Sequence, residues 1–348
     1  MMPIFGREKI LPVGLGKEAE SKETLPAIEV ANEVSWVNPA FPEAPFDLKK
    51  GKSTDLGLFL TPQPKEGSFS LGVSSEHGRS ALLGQVIFKD KEGRFYRDID
   101  LKGIGHVGGC VGKLKVNPVD FDHCSSERIS GILDEGYVLS AVEMSEKFLK
   151  AGIRTERYLA IIELKEIVDD KGEKVSIAEI KKEKAMPKDV VPVVGVRAFG
   201  TKHRIVDVNE NPEIDENSLE DARRMVAQEL GINEKDFSME DYLKWFAKTL
   251  GKNVGLMHKN KWCHKYLSTH NITLDCRIID LDSVESYRSM KEENRLKIMH
   301  GDCTSAVNSL AMLEFRANID IRNRGSFKEI FKRAYNKALG DKAILHIS

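Results

Sequence analysis

The residues best suited to hold a divalent cation and phosphate oxygens lie in one stretch, His264 to Asp282, which reads HKYLSTHNITLDCRIIDLD. Two short apolar runs, Ile272-Thr273-Leu274 and Cys276-Arg277-Ile278-Ile279, have polar residues at their ends. The spacing therefore predicts loop, strand, tight turn, strand and then an exposed acid. Such a hairpin sets Asn271, just before one strand, and Asp280, just after its partner, at the same end. An amide oxygen beside a carboxylate gives hard oxygen ligands suited to Mg²⁺ with bound phosphates.

Other residues can serve the same chemistry. Lys102 ends an alternating strand and runs into Gly103-Ile104-Gly105. A lysine so placed reaches phosphates past small residues, and it needs a carboxylate to orient it. Glu143 and Glu146, three apart on one face of a helical pattern over Asp134 to Ala151, are the candidates. Arg197 and Arg204 lie in VRAFGTKHRIVD with Lys202 and His203 beside Arg204, and the guanidinium fork of donors matches phosphate oxygens. HGRSALLGQV carries Gly78 and Gly84, which suit a turn over a nucleotide or plain hairpin chemistry. Each has a bland reading in isolation: a solvated lysine at a strand end, a surface basic turn, and in His264 a histidine that bonds the backbone of its own loop. His270, adjacent to Asn271, is harder to dismiss.

The elements that must position these groups follow in a definite order. From Gly67 the pattern is strand-like: GSFSLGV, SALLGQVIFK, a turn at Asp90-Lys91-Glu92-Gly93, and RFYRDIDLK, read as an antiparallel meander. The Asp134 to Ala151 helix stops at Gly152, and further strands are expected at YLAIIELKEIV, EKVSIAEI and VVPVVGVRA, with a turn at Asp169-Asp170-Lys171-Gly172. Beyond Arg197 the pattern turns helical: SLEDARRMVAQEL opened by Ser218, SMEDYLKWFAKTL opened by Ser238, a helix near 303–315, and SFKEIFKRAYNKAL with a Ser326/Glu329 capping box and a stop at Gly340. Residues 1–55, rich in Pro, Glu and Lys, read as an irregular leader. Strands with one helix followed mostly by helices predict an α+β chain, with a β-rich part over 56–198 and an α-rich part over 199–348.

Composition narrows the function classes. The 348 residues carry 53 Lys and Arg against 54 Asp and Glu, so no global basic field points to nucleic acid. Five cysteines without a CxxC pair argue against a zinc site or disulfide framework. No run approaches the ~20 apolar residues of a membrane span, and the expectation is a cytoplasmic protein with no nucleic-acid or membrane partner.

His264 precedes Asn271 by the seven residues of a protein-kinase catalytic loop, but Tyr266 stands where a kinase has its catalytic Asp. The nine residues from Asn271 to Asp280 make a shorter hairpin than kinases use. With HGRSALLGQ, DLKGIG, AGIRTER, VRAFGTKHR and HKYLSTHN…IIDLD in this order, residues 67 to 290 resemble the selenoprotein O family of protein adenylyltransferases. The resemblance implies a protein-kinase-like two-lobed fold, ATP with Mg²⁺ or Mn²⁺, and transfer of AMP to hydroxyls of a protein substrate, with the nucleotide reversed relative to kinases. It implies that Lys102, Arg197 and Arg204 hold the distal phosphates, beside Gly103 and Glu146, and that Asn271 and Asp280 hold the metal. Lys102 and His270 are then the catalytic candidates, with Glu143 when the helix is aligned from Gly136-Tyr137-Val138-Leu139; aligning from Ala151-Gly152-Ile153 leaves neither glutamate in place.

Three departures stand out. His270 replaces the Asp that the family carries before its metal-binding Asn, and a neutral imidazole accepts a proton where a cation does not. Leu281-Asp282 replaces an aromatic and Gly, and the last cysteine, Cys303, is far from the C-terminus. The rival readings are a kinase-fold phosphotransferase and a catalytically inactive nucleotide-binding pseudokinase.

Overall fold

The turn at Asp90–Gly93 joins the two central strands of the largest sheet. A computed structural model describes residues 23–42, 44–73, 78–110, 113–117, 119–125, 128–183, 185–210, 212–318 and 325–340. Within it the chain forms two units, one of residues 23–140 and 157–200, the other of 141–156 and 201–340. The fold is mixed α+β, the first unit β-rich and the second helical.

The β-rich unit contains β1 (Thr24–Glu29), β2 (Asn32–Val37), β3 (Leu58–Leu60), β4 (Phe69–Gly72), β5 (Ser80–Lys89), β6 (Phe95–Lys102), β7 (His106–Gly108), β8 (Lys115–Asn117), β9 (Asp120–Ser125) and β10 (Arg128–Ser130). After α1 (Glu135–Lys150) come β11 (Arg157–Leu164), β12 (Glu166–Val168), β13 (Lys174–Ser176), α2 (Ile177–Lys182) and β14 (Val193–Phe199). Eight strands form one antiparallel sheet in the order β2-β11-β14-β6-β5-β4-β1-β3. Alternation sends Ile99 and Leu101 of β6, with Val194, Val196 and Ala198 of β14, into the apolar core. Asp90 fixes the β5–β6 turn: its Oδ1 accepts the N–H groups of Glu92 at 3.0 Å and Arg94 at 2.8 Å, and its Oδ2 faces Arg157 Nη1 at 2.5 Å.

Two expectations in this unit give way. Part of the supposed leader, β1 and β2, belongs to the main sheet, where β1 pairs with β3 and β4 and β2 with β11, and the Pro26 carbonyl accepts from Thr61 N–H at 2.9 Å. EKVSIAEI is a strand only to Ser176, whose hydroxyl accepts from Ala178 N–H and caps α2.

The helical unit holds α3 (Asp207–Glu210), α4 (Pro212–Leu230), α5 (Met239–Lys259), a two-stranded pair of β15 (Trp262–Cys263) and β16 (Glu285–Ser286), α6 (Glu292–Arg316) and α7 (Ser326–Leu339). Ser238 opens α5 with a capping box to Asp241, as its sequence predicts. Ser218 instead lies buried inside α4, which starts earlier, and α6 extends over three turns upstream of 303. Gly325, in left-handed conformation, is the N-cap of α7, so Ser326 is already helical; Gly340 ends the helix. Helices α5 and α7 meet at Gly251 and Gly255, where an added Cβ would lie 2.3 Å from the Phe331 carbonyl and 2.6 Å from that of Tyr335. Among the described residues no helix is long and apolar enough to cross a membrane.

Candidate functional site

In the helical unit the Asn271–Asp280 segment folds back on itself, but through fewer ladder bonds than two full strands supply. Ile272 and Ile278 form an isolated antiparallel bridge, and Ile279 N–H donates to the Asn271 carbonyl at 3.1 Å. Asn271 and Asp280 therefore lie at the same end of the turn. The turn is short because Asp275, fully buried at its tip, gathers the chain around itself: Thr273 Oγ1 donates to its Oδ1 at 2.5 Å and Arg277 Nε to its Oδ2 at 2.5 Å, with Arg154 Nη2 at 3.4 Å. Burial would raise the Asp275 pKa, but the charges of Arg277 and Arg154 and the bonds from Thr273 and Arg277 hold it below the ordinary carboxylate value.

Asn271 is buried, and its Nδ2 donates to the Tyr266 carbonyl at 2.8 Å. That bond fixes the amide plane and assigns Oδ1 the acceptor role. Asp280 has φ 62° and ψ 52°, a left-handed conformation uncommon for a non-glycine residue. Its backbone N–H donates to Oε1 of Glu156 at 2.9 Å, and Glu156 is fully buried. The segment 203–206 runs beside this turn: Arg204 bridges Thr273, Ile205 N–H donates to Ile272 at 3.0 Å, and Leu274 N–H donates to the His203 carbonyl at 2.8 Å. Arg204 is thus half-buried beside the loop that carries Asn271, while His270 is exposed.

The loop is held from behind by groups that sequence reading passed over. Asp302 of α6, 2% exposed, accepts the backbone N–H groups of His264 on Oδ2 and Lys265 on Oδ1, each at 2.9 Å. His264, fully buried, donates from Nε2 to the Ile279 carbonyl at 2.8 Å. It is structural, as expected, though its partner is the residue before Asp280 and not its own loop. His258 lies with Nδ1 at 3.0 Å from Tyr335 Oη and Nε2 at 3.4 Å from Asp302 Oδ2. The only sequence signal for Asp302 was an acid on an otherwise apolar helical stripe with Met299, Cys303 and Ala306.

The β-rich unit carries Lys102, Gly103 and Arg197. Lys102 and Arg197 share a face of the β6–β14 pair, since Lys102 is registered with Gly195 and Arg197 with Asp100. Lys102 is 7% exposed. Arg197, 1% exposed, donates from Nε to Asp100 Oδ1 at 2.8 Å and from Nη2 to Oδ2 at 2.6 Å, a bidentate buried pair. Its role as a phosphate ligand needs correction to that extent: two of its donors are committed to Asp100. Gly103 is also not an open approach to Lys102. It has φ 98°, and a Cβ there would sit 2.4 Å from the Val193 carbonyl and 2.7 Å from Leu133 Cβ, so glycine is required by backbone packing. The loop over Gly78 and Gly84 lies partly outside the described residues, His77 included.

The two glutamates of α1 separate. Glu143 is 69% exposed with Oε1 2.7 Å from Lys147 Nζ, one helical turn on. The Glu143 carboxylate is thus paired within its own helix, on an exposed face. Glu146 is half-buried on the same helix.

The donor set fits a metal-phosphate site of modest protein content. Among the described residues no group of three or more His, Cys, Asp or Glu is spaced to hold a metal. One oriented amide oxygen and one carboxylate suit Mg²⁺, which keeps water and phosphate oxygens as its remaining ligands.

No family profile and no curated protein matches the chain. Solved structures do align: the structure titled WaaP in complex with acyl carrier protein, at 13% identity over 73% of this chain and 78% of that one with a TM-score of 0.27, and a Toxoplasma gondii specific rhoptry antigen kinase domain, at 8% identity over 90% and 79% with a TM-score of 0.35. Superpositions this loose assign nothing by themselves.

Proposed function

We propose that the chain is an ATP- and divalent-metal-dependent transferase of protein-kinase-like two-lobed plan that modifies protein hydroxyls, and that the group it transfers is AMP. The observation that carries the reading is the pairing of Asn271 and Asp280 at one end of a turn, with the Asn271 amide fixed by Tyr266 and the Asp280 backbone fixed by buried Glu156. A surface Asn and Asp need no such bracing. The choice of AMP rests on the resemblance to selenoprotein O.

In this reading Asn271 and Asp280 hold Mg²⁺ or Mn²⁺, which supplies charge neutralisation at the phosphates. Arg204, beside the loop that carries Asn271, binds phosphate oxygens, a part the resemblance also gives to Lys102. His270, exposed beside Asn271, accepts the proton of the incoming hydroxyl. The hydroxyl oxygen bonds to the α-phosphorus, the bond from that phosphorus to the bridging α–β oxygen breaks, and pyrophosphate leaves with its developing charge met by Arg204.

One observation favours a second reading. With Nε and Nη2 of Arg197 given to Asp100, one of the two arginines expected on the distal phosphates is occupied, and ordinary γ-phosphoryl transfer makes no demand on it. Incubation of the protein and a cell extract with ATP labelled at the α or the γ position separates the two. Label from α alone is the expected result; label from γ alone identifies a phosphotransferase, and ATP binding without incorporation identifies a nucleotide-binding pseudokinase.

A further inference from the structure

The helical unit has a concave feature lined by none of the residues assigned above. A cavity of about 420 Å³ is lined by Lys259, Asn260, Lys261, Tyr287, Arg288 and Arg295. Four of these six are cations and none is an acid, in a chain whose charges balance to −1. The cations come from separate elements. Lys259 ends α5, and Arg295 belongs to the first turn of α6. Lys261 is held left-handed at φ 66°, its N–H donating to the His258 carbonyl at 3.0 Å and its carbonyl accepting from Tyr287 N–H at 3.0 Å. That bond, continued by the β15–β16 pair, brings Arg288 beside Lys261.

The floor contributes no charge of its own. Tyr287 is 2% exposed, its hydroxyl donates to the His258 carbonyl, and burial pushes the phenol up to about 12, so it stays neutral. The Asn260 amide is spent on the Leu256 carbonyl at 2.8 Å. Among the described residues Lys259, Lys261 and Arg288 have no carboxylate at ion-pair distance; Arg295 Nη2 lies 3.3 Å from Glu292 Oε1, whose side chain is 74% exposed. Solvent screens such a pair, so an anion of higher charge displaces it at small cost. Like charges gathered round one concavity repel one another and attract counter-charge.

We propose that this cavity is a binding site for a small polyphosphate anion of the pyrophosphate-to-triphosphate class, separate from the Asn271–Asp280 site. Two guanidinium forks match phosphate oxygens bidentately and two ammonium groups add point charge. A volume of this size suits a compact ligand. An extended acidic peptide would instead be met by a stripe of cations along the surface. Free pyrophosphate and the triphosphate tail of a nucleotide share this chemistry.

Isothermal titration of the full chain with pyrophosphate, tripolyphosphate and metal-free ATP at low ionic strength tests the assignment, with sulfate at equal ionic strength for comparison. Saturable binding of pyrophosphate or tripolyphosphate, stronger than that of sulfate, is expected to weaken at least tenfold in Lys261→Glu/Arg288→Glu and to persist in Asp280→Ala. Binding of ATP as well identifies the nucleotide tail as a source; binding of the inorganic anions alone identifies free polyphosphate. If the double charge reversal does not fold, Lys259→Gln/Lys261→Gln removes half the positive charge and is expected to weaken binding in the same direction. The proposal is overturned by absence of saturable binding, by equal affinity in folded charge variants, by loss in Asp280→Ala with retention in the charge variants, or by a polyglutamate peptide binding more tightly than tripolyphosphate.

Discussion

Replacing Arg197 by Ala removes both donors of a bidentate pair whose members are 1% and 0% exposed. The Asp100 carboxylate is left inside the β-rich unit without the guanidinium that offsets its desolvation. Breaking a buried pair from one side costs about 3–5 kcal/mol. The guanidinium also lies over the Phe199 ring at 5.1 Å, a contact worth about 0.5–2 kcal/mol. Set against a typical domain stability of about 5–15 kcal/mol, the loss takes roughly a quarter or more of the total. Replacing both partners with apolar residues, Arg197→Met with Asp100→Leu, removes the stranded charge and is expected to restore most of the stability. The assay is hydrogen exchange of the β6 and β14 amides, which reports this unit directly, run beside ATP titration of the same proteins. Fast exchange in Arg197→Ala, slowed again in the double variant, supports a structural pair. Unchanged exchange in Arg197→Ala with ATP binding lost would refute this reasoning and return Arg197 to the phosphates.

Other perturbations test the helical unit. Asp302→Ala strands the N–H groups of His264 and Lys265 and is expected to cost about 2–5 kcal/mol in urea denaturation, with Asp302→Asn recovering part; a change under about 1 kcal/mol would show that Asp302 does not brace the loop. Gly251→Ala gains up to about 1 kcal/mol of helix propensity but meets the rigid Phe331 carbonyl, so overpacking of about 1–3 kcal/mol wins and the melting temperature falls; a rise would contradict the α5–α7 packing. Asp275 and Asp90 both titrate below their ordinary values in the fold, since their arginine partners and hydrogen bonds outweigh burial. Their stabilisation is complete above the unfolded value of about 3.9 and is lost as pH falls through the lower folded values, so thermal stability should drop below about pH 4. A stability maximum near pH 3 would reverse that sign. Asp280→Ala is expected to abolish the thermal shift given by ATP with Mg²⁺, and His270→Asp to retain or raise transfer; an unchanged shift in the first, or a dead second variant beside an active wild type, would remove that residue's assigned part.

Sequence periodicity alone made the central strands, the Asp90–Gly93 turn, α1 and α5 legible, because alternation, helical spacing and a capping box are local signals. The same locality explains β1 and β2: nothing within residues 24–37 shows that distant β4 and β11 supply their ladder partners. Chemical type and spacing were enough to single out Asn271 and Asp280, and their meeting at one end of a turn follows from the chain folding back within ten residues. Contacts over long separation lay outside its reach. Whether Glu143 or Glu146 faces inward depends on helix packing, which leaves Glu143 exposed with Lys147. That Arg197 spends its fork on Asp100 depends on the β6–β14 register, and that Glu156 and Asp302 brace the candidate site depends on contacts spanning 124 and 38 residues. The residues able to do chemistry are a property of the one-dimensional chain. Which of them have donors left for a ligand is decided only when buried charges find their partners, because an unpaired charge in the interior costs several kcal/mol and the fold settles that demand first.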